Sequence, residues 1–396
     1  MTIRNLPVIA INLARRFARR TAHWWSVGAR ESRGITRRAR RAAEQVGGAG
    51  GALATASQAS VRAGIRASRR LDRFGEHVVT PIREERAVLR RIERIASGRA
   101  PIVLGPWISE VGYEVLYWVP FLRWFQDRYG IHPDRLMAVS RGGPSWWYAG
   151  IAARYVDVLS LYGSVQFAEQ AAARRTAGDQ KQGEPSQWER QIVADVCRRT
   201  GVSRPNVLSP GLMYRLFRHV WHGDRSLDFL LRHTEFPQLS APRAPDDDWL
   251  PSTFAAVKFY TGPALPDTPD TRAQLRTCVA RLSERMPIVT LDTGLGLDEH
   301  RDYLFGDVPG VLDLRGRMTP ETNLGVQSRV VARASLFVGT CGSLAWLAPM
   351  LGVPTVGLYA DDRHLSGHLY VARYAYRRMK AARFSAIDLA ALAQVA

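Results

Sequence analysis

Hydrophobic positions from residue 101 onward alternate between two patterns. Short apolar runs such as "PIVLG" at 101–105 and "RLMAVS" at 135–140 are typical of buried strands. The longer stretch "YEVLYWVPFLRWFQDRYG" at 113–130 has the length of a helix and ends in glycine. Strands that alternate with helical segments pair in parallel, with helices on both faces of the sheet, so this pattern predicts an α/β domain.

The alternation starts again after a proline-rich segment, "PRAPDDDWLPS" at 242–252. Strand-like runs follow at 254–260, 287–292 and 310–316, and helical segments separate them. A further helix is predicted from Thr319, because Thr319 and Thr322 fit most of a capping-box pattern. The chain therefore predicts two Rossmann-like domains that face a cleft, at residues 98–245 and 252–396.

The first 97 residues have a different character. Residues 1–99 contain 22 arginines, no lysine and only 7 acidic residues, so they carry most of the net charge of +19. Residues 6–25 predict a helix with apolar side chains near one face, arginines around the rest and two tryptophans at its end. Such a helix suits an anionic membrane surface, and the alternative is a solvated basic arm. We treat residues 1–97 as a basic, partly helical extension with residues 6–41 as its candidate membrane contact.

Several classes of protein are disfavoured by composition. No apolar run approaches the ~18 residues of a membrane-spanning helix, and the short N-terminal apolar stretch is followed by arginines, unlike a signal peptide. Cys197, Cys278 and Cys341 are far apart and form neither a disulfide framework nor a metal set. The basic extension lacks any zinc, homeodomain-like or RNA-binding signature, so nucleic acid is a disfavoured partner. We expect a cytoplasmic protein, peripheral to the inner face of the membrane if the extension binds it.

One stretch, "SLFVGTCGSLAWLAPMLGVPTVGLY" at 335–359, predicts a strand, a turn of small residues, a short helix, a glycine stop and a second strand. Small residues in such a turn have two interpretations. They leave backbone N–H groups open to an anionic ligand at the carboxyl end of a strand, or they let the turn pack tightly against its own sheet. The residues alone leave both open.

The wider segment, residues 319–360, resembles the second-domain core of GT-B glycosyltransferases, especially the heptosyltransferase-like group. In that group a strand ending in V-G precedes a small-residue turn, a helix containing L-A, then L-G-x-P-T and another strand. The resemblance implies that Gly339, Thr340, Gly342 and Ser343 bind the diphosphate of a nucleotide-sugar donor.

A second stretch, "ISEVGYEVLYWVPFLRW" at 108–124, looks like the opening turn and helix of the same group. An acidic residue at this turn can serve there as the base that deprotonates the acceptor hydroxyl. Tyr113 stands where the group usually has aspartate, and Glu110 and Glu114 flank it. The resemblance therefore implies that either Glu110 or Glu114 is the base, and the sequence does not choose between them.

Further candidates follow other predicted strands. Lys258 lies near the end of the strand at 254–260, as a donor-binding cation or a solvated lysine, and Arg141 follows the second strand as a candidate for the acceptor. Trp146 and Trp147 lie in a loop with glycine and proline and are candidates to stack on a sugar. Asp298 is a candidate to hydrogen-bond a ribose, and its loop lacks metal-ligand spacing, so we predict no metal.

Taken together, these features favour a metal-independent glycosyltransferase. It moves a sugar from a nucleotide-diphosphate-sugar donor to a hydroxyl of a glycan or lipid-linked acceptor, in cell-envelope polysaccharide biosynthesis, with no cofactor besides that donor. Two alternatives stay open. The first is a nucleotide-sugar epimerase or another polysaccharide-modifying enzyme on the same fold. The second is a non-catalytic protein that binds a polyanion through its basic arm.

Overall fold

Two parallel sheets form the frame of the structure, a computed structural model that describes residues 80–177, 184–244, 247–295, 297 and 300–391. The first sheet has the order β3-β2-β1-β4, with β1 (Ile102–Leu104), β2 (Leu136–Ser140), β3 (Arg154–Asp157) and β4 (Asn206–Leu208). The second has the order β10-β9-β8-β5-β6-β7, with β5 (Ala255–Lys258), β6 (Ile288–Thr290), β7 (Val311–Asp313), β8 (Leu336–Thr340), β9 (Thr355–Tyr359) and β10 (Phe384–Asp388). The expectations for residues 6–41 and for Asp298 lie outside the described residues.

Helices connect the strands in both halves. They are α1 (Thr80–Ser97), α2 (Val111–Tyr113), a π-helical segment (Glu114–Trp118), α3 (Val119–Tyr129), α4 (Ser164–Thr176), α5 (Gln187–Thr200), α6 (Pro210–Trp221), α7 (Leu227–Leu231), α8 (Pro269–Ser283), α9 (Asn323–Arg333), α10 (Ser343–Leu347) and α11 (Ser366–Met379). Among the residues that the structure describes, none of the helices combines the length and the apolar character needed to cross a bilayer.

This architecture confirms the predicted fold class of two α/β domains. All neighbouring strands in both sheets pair in parallel. The predicted helix start at Thr319 is wrong: α9 begins at Asn323, with Thr322 as its N-cap residue. The reason is local, because the Thr322 hydroxyl accepts a hydrogen bond from the Thr319 N–H at 2.9 Å and closes a turn ahead of the helix.

One hydrophobic core is shared by the two domains, and each domain has a further core cluster on its other face. Strands β1 and β2 are buried at every residue, as expected for a parallel sheet covered on both faces. The same continuous core contains side chains from both halves of the chain, among them Trp107, Leu116, Phe121, Val289, Leu324 and Trp346. The segment at 241–251 therefore joins two sheets that are packed against a common interior.

Helix α1 attaches the end of the basic extension to the first domain. Its buried residues Val88, Ile92 and Ile95 share one helical face, and the helix packs against α6. Two charged contacts reinforce this packing. Arg225, which follows α6, binds the Glu85 carboxylate with two hydrogen bonds of 2.7 and 2.6 Å, and Glu84 accepts from Arg218 at 2.6 Å.

Candidate functional site

The two turns singled out in the sequence both lie at topological switch points. In the first sheet the chain runs from β1 through β2 to β3 on one side, and β4 then pairs with the other side of β1. In the second sheet β6 and β7 follow on one side of β5, and β8, β9 and β10 then follow on its other side, with all strands parallel. Open parallel sheets bind ligands outside the carboxyl ends of the strands at such points. The turns after β1 and β8 carry Glu110 and Gly342, respectively.

These two turns touch each other across the domains. A Cβ atom built on Gly112 would lie 3.0 Å from the backbone nitrogen of Ser343 and 3.3 Å from the Trp346 ring. A second contact lies beside it, where the Gly325 N–H donates to the Gly142 carbonyl at 2.9 Å. Glycine at these positions lets the backbones approach closely. The carboxyl ends of the two sheets therefore meet.

Glu110 lies at this meeting point. It is half-buried and precedes α2 as the N-cap residue, with extended backbone angles of φ −62° and ψ 135° and no capping hydrogen bond from its side chain. The neighbouring Tyr113 is half-buried, and burial together with the charge of Glu110 raises its pKa. A partly exposed carboxylate at the contact of two switch-point turns is suited to accept a proton from a ligand.

Glu114 has a different environment, although it is only four residues away. It is completely buried in the π-helical segment, and its Oε1 accepts hydrogen bonds from the Ser140 hydroxyl and, at 2.5 Å, from the Tyr148 hydroxyl. Burial raises the pKa of Glu114 to about 7, against the opposing effects of both hydrogen bonds and of the Arg141 charge. Glu114 therefore links the π-helical segment to Ser140 and Tyr148 in the interior of the first domain, and its side chain is not accessible to a substrate.

Arg141 and Asp157 hold the loops around Glu110. The Arg141 guanidinium is buried, donates to the Ser109 carbonyl at 2.8 Å and lies 5.8 Å from the centre of the Phe167 ring. The Asp157 carboxylate accepts from the Gly143 N–H at 2.6 Å. Arg141, predicted to bind the acceptor, thus fixes the residue immediately before Glu110.

The predicted sugar-stacking tryptophans lie in the first domain's core. Trp147 is completely buried, and Trp146 is half-buried with its ring edge-on to that of Trp147 at 6.3 Å. Both stand in one short 3₁₀ turn with Tyr148, whose hydroxyl reaches Glu114. In this structure Trp147 presents no ring face to a ligand.

The small residues of the turn after β8 are largely explained by packing. A Cβ on Gly339 would lie 2.4 Å from the Lys258 carbonyl oxygen. The Thr340 hydroxyl accepts from the Tyr260 N–H at 2.9 Å and lies 3.1 Å from the Tyr260 carbonyl. A Cβ on Gly342 (φ +153°) would lie 2.6 Å from the Tyr260 hydroxyl. The tight-turn interpretation therefore accounts for Gly339 and Thr340, whereas Gly342 and Ser343 are half-buried at the contact with the first domain.

Lys258 organises the loop that follows β6. Its ammonium group is 11% exposed, lies 2.8 Å from the Asp302 carboxylate and donates to the Leu291 carbonyl at 2.9 Å. Asp302 also accepts from the Thr293 N–H at 2.9 Å. Lys258 thus neutralises a carboxylate and ties residues 291–302 to the end of β5.

Two groups near these turns were missed by the sequence analysis. The Tyr260 hydroxyl borders Gly342, and the His300 ring packs edge-on against Tyr260 with centroids 4.9 Å apart. His368, on α11 of the second domain, contacts the hydroxyls of Tyr117 at 2.5 Å and Tyr113 at 3.2 Å in the first domain. The signal for Tyr260 is its position as the last residue of a predicted strand, whereas His368 has no sequence signal.

A metal centre is not assembled by the described part of the chain. No group of three or more histidine, cysteine, aspartate or glutamate side chains comes together there. The described residues of the site supply a half-buried carboxylate, two glycine-bearing turns and their aromatic neighbours.

Comparison with known proteins gives remote similarities. No family model matches the chain, and no curated protein matches it. Among solved structures, the chain is similar to ADP-heptose LPS heptosyltransferase II of E. coli, with 14% identity, 73% of this chain and 90% of the other covered, and a TM-score of 0.42. A family 9 glycosyl transferase of Veillonella parvula is 12% identical, with 73% of this chain and 86% of the other covered and a TM-score of 0.39. The E. coli heptosyltransferase WaaC with ADP is 16% identical, with 74% of this chain and 98% of the other covered and a TM-score of 0.38. At these scores the likenesses assign no activity.

Proposed function

We propose that the protein is a glycosyltransferase that uses a nucleotide-diphosphate-sugar donor and transfers the sugar to a hydroxyl of a glycan or lipid-linked acceptor. The observation that carries the proposal is the contact between the two switch-point turns. Through Gly112, the turn that carries Glu110 packs against the turn at Gly342 and Ser343 of the other sheet. Transfer between two substrates needs such a meeting of two binding edges.

Glu110 is the proposed catalytic base. It takes the proton from the acceptor hydroxyl as that oxygen bonds to the anomeric carbon, and the bond from this carbon to the diphosphate breaks. The nucleoside diphosphate leaves with the electron pair, and the sugar is transferred. Of the two carboxylates predicted as candidates, Glu114 is completely buried and Glu110 is half-buried, and this difference supports Glu110 as the base.

The donor diphosphate is proposed to bind at the half-buried Gly342 and Ser343. Backbone N–H groups there stabilise the charge that develops on the leaving group, with no metal required by the mechanism. We propose no direct contact between Lys258 and the donor, because the Lys258 ammonium forms an ion pair with Asp302. We further propose that the arginine-rich extension keeps the enzyme at the cytoplasmic face of the membrane.

Nucleotide binding is the first test. The full chain is heated with UDP, GDP, ADP, CMP or dTDP, and a ligand at 100 times its dissociation constant raises the free energy of unfolding by about 2.7 kcal/mol. We expect one nucleotide to shift the melting temperature, and the Gly342→Trp variant to lose that shift. No shift with any nucleotide would contradict the proposal.

Product analysis separates the alternatives. A transferase consumes its nucleotide sugar quickly only when an acceptor is present, whereas an epimerase converts it without one. A protein that only binds a polyanion would bind it with an affinity that falls strongly with salt and that the Glu110→Gln substitution does not change. Conversion of the nucleotide sugar without an acceptor would replace the transferase proposal, and so would polyanion binding by a protein that consumes no nucleotide sugar.

A further inference from the structure

The outer face of α11 differs from the rest of the described surface. Tyr370 and Tyr374 are 52% and 37% exposed, one helical turn apart. The other large hydrophobic side chains with comparable exposure in the described residues are Val165, Leu304 and Leu312, each on a separate element. Among the described residues, exposed aromatic surface is therefore concentrated on this face of α11.

Cationic side chains share this face. Arg373 and Arg377 are exposed and, at 3.6 residues per turn, fall on the same stripe of the helix as the two tyrosines. We call these four residues the α11 stripe. The opposite face of α11 is buried through residues such as Leu369, Ala372 and Tyr376.

Negative charge is absent from this region of the sequence. Residues 366–384 contain five lysines and arginines and no aspartate or glutamate. Arg377 forms no ion pair with any residue that the structure describes. Some exposed arginines elsewhere, such as Arg276 and Arg363, are paired with Asp307 and Asp361. The positive charge of Arg377 is thus available to a partner.

We propose that the α11 stripe is a docking surface for an anionic phospholipid bilayer. Tyrosine rings settle at the level of the lipid headgroups, with the ring in the apolar zone and the hydroxyl in water. Arginines on the same stripe are attracted to the lipid phosphates. A soluble polyanion without apolar or aromatic groups would use the arginines but gain nothing from the two exposed tyrosines, so the pairing favours a membrane.

The docking surface is independent of the proposed catalytic chemistry. It lies on the second domain, whereas the arginine-rich extension joins the first domain through α1. Two attachment sites on different domains would bind the membrane more tightly than either alone, because the second contact forms at a high effective concentration.

The test is vesicle partitioning of the full chain. Vesicles of phosphatidylcholine, alone or mixed in equal parts with phosphatidylglycerol, are sedimented with the protein. We expect the double variant Arg373→Glu/Arg377→Glu to lose at least about tenfold in the partition coefficient for the anionic vesicles. The matched control is Arg243→Glu/Arg285→Glu, which makes the same change of charge at exposed arginines on other elements and should stay within about twofold. Circular dichroism verifies that both variants fold.

Two further measurements locate the contact. The Tyr370→Ser/Tyr374→Ser variant keeps every charge and should still lose partitioning. A photo-crosslinking phenylalanine derivative in place of Tyr374 should crosslink to lipid, and the same derivative in place of Arg285 should not. Equal partitioning of the α11 variant and the control pair would overturn the proposal. So would equal crosslinking at the two positions, or a loss of heparin binding without any loss of vesicle binding.

Discussion

The turn after β1 and the turn after β8 hold equivalent places in their sheets but are built in opposite ways. The first turn presents a side chain, Glu110, and is fixed by buried polar groups such as Arg141, which donates a hydrogen bond to the Ser109 carbonyl. The second presents backbone, because its small residues pack against β5 and Tyr260. The first turn should therefore be sensitive to loss of a functional group, and the second to added atoms.

Glu110→Gln should have the largest effect. Removing a general base lowers kcat by about 10²–10⁴-fold, and the affinity for the nucleotide should not change, since the donor turn is intact. Sugar transfer and nucleotide calorimetry measure the two quantities separately. Glu284→Gln, at an exposed position on another element, is the control. A parallel loss of nucleotide affinity would mean that Glu110 shapes the donor site and is not a base.

Glu114→Gln should change the pH dependence of stability. Burial raises the pKa of Glu114 from 4.5 to about 7 in the folded state. The folded protein therefore holds a proton that the unfolded chain releases, so the stabilisation present below pH 4.5 is lost as the pH rises to about 7. This loss is on the order of 3 kcal/mol.

Glutamine cannot ionise, and its oxygen can still accept from Ser140 and Tyr148. We expect the Glu114→Gln variant to gain stability relative to the parent between pH 5 and pH 8, as measured by urea unfolding at each pH. A constant difference across this range would contradict a protonated Glu114.

Lys258→Met tests whether this lysine acts through Asp302. Loss of the cation leaves a nearly buried carboxylate unpaired, which should destabilise the fold by about 2–3 kcal/mol. The double variant Lys258→Met/Asp302→Asn should recover part of that stability, because the neutral asparagine side chain can still accept from Thr293. Equal destabilisation in both variants would exclude the ion pair as the cause.

Gly342→Ala should have the smallest effect, about a tenfold loss of nucleotide affinity. The added Cβ meets the Tyr260 hydroxyl, and the φ of +153° disfavours any residue with a side chain, which together displace the turn. Gly316→Ala is the matched control, since Gly316 also has positive φ (+76°) and no atom lies within 4 Å of its Cβ position. Similar nucleotide affinity in both variants would remove Gly342 from the donor site.

The sequence predicted the fold where hydrophobic runs were long and buried. Strands β1, β2, β5 and β8 were found because parallel strands read as continuous apolar runs. Strand β10 was missed because it lies at the sheet edge and none of its residues is fully buried. Helix α11 was missed because no side chain caps its start and no acidic residue occupies its first turn.

The site was predicted only in part, for a geometric reason. Both turns were found, because strand ends with glycine are visible in a sequence. The choice between Glu110 and Glu114 was not visible, since it depends on the π-helical segment and on Ser140 and Tyr148, which come from distant parts of the chain. Likewise, the ion pair between Lys258 and Asp302 joins residues that are 44 positions apart in the sequence, so the sequence pattern does not indicate it.

The shared interior of the two domains sets a limit on how this protein can be divided or recombined. Trp346 of the second domain and Leu116 of the first belong to one core, so a cut at residues 241–251 would expose apolar surface on both fragments. An exchange of donor domains between such proteins would have to carry the facing residues along. If the protein has the proposed function, specificity for a new sugar nucleotide is better sought by changing single residues around Tyr260 and Gly342 than by grafting a whole half.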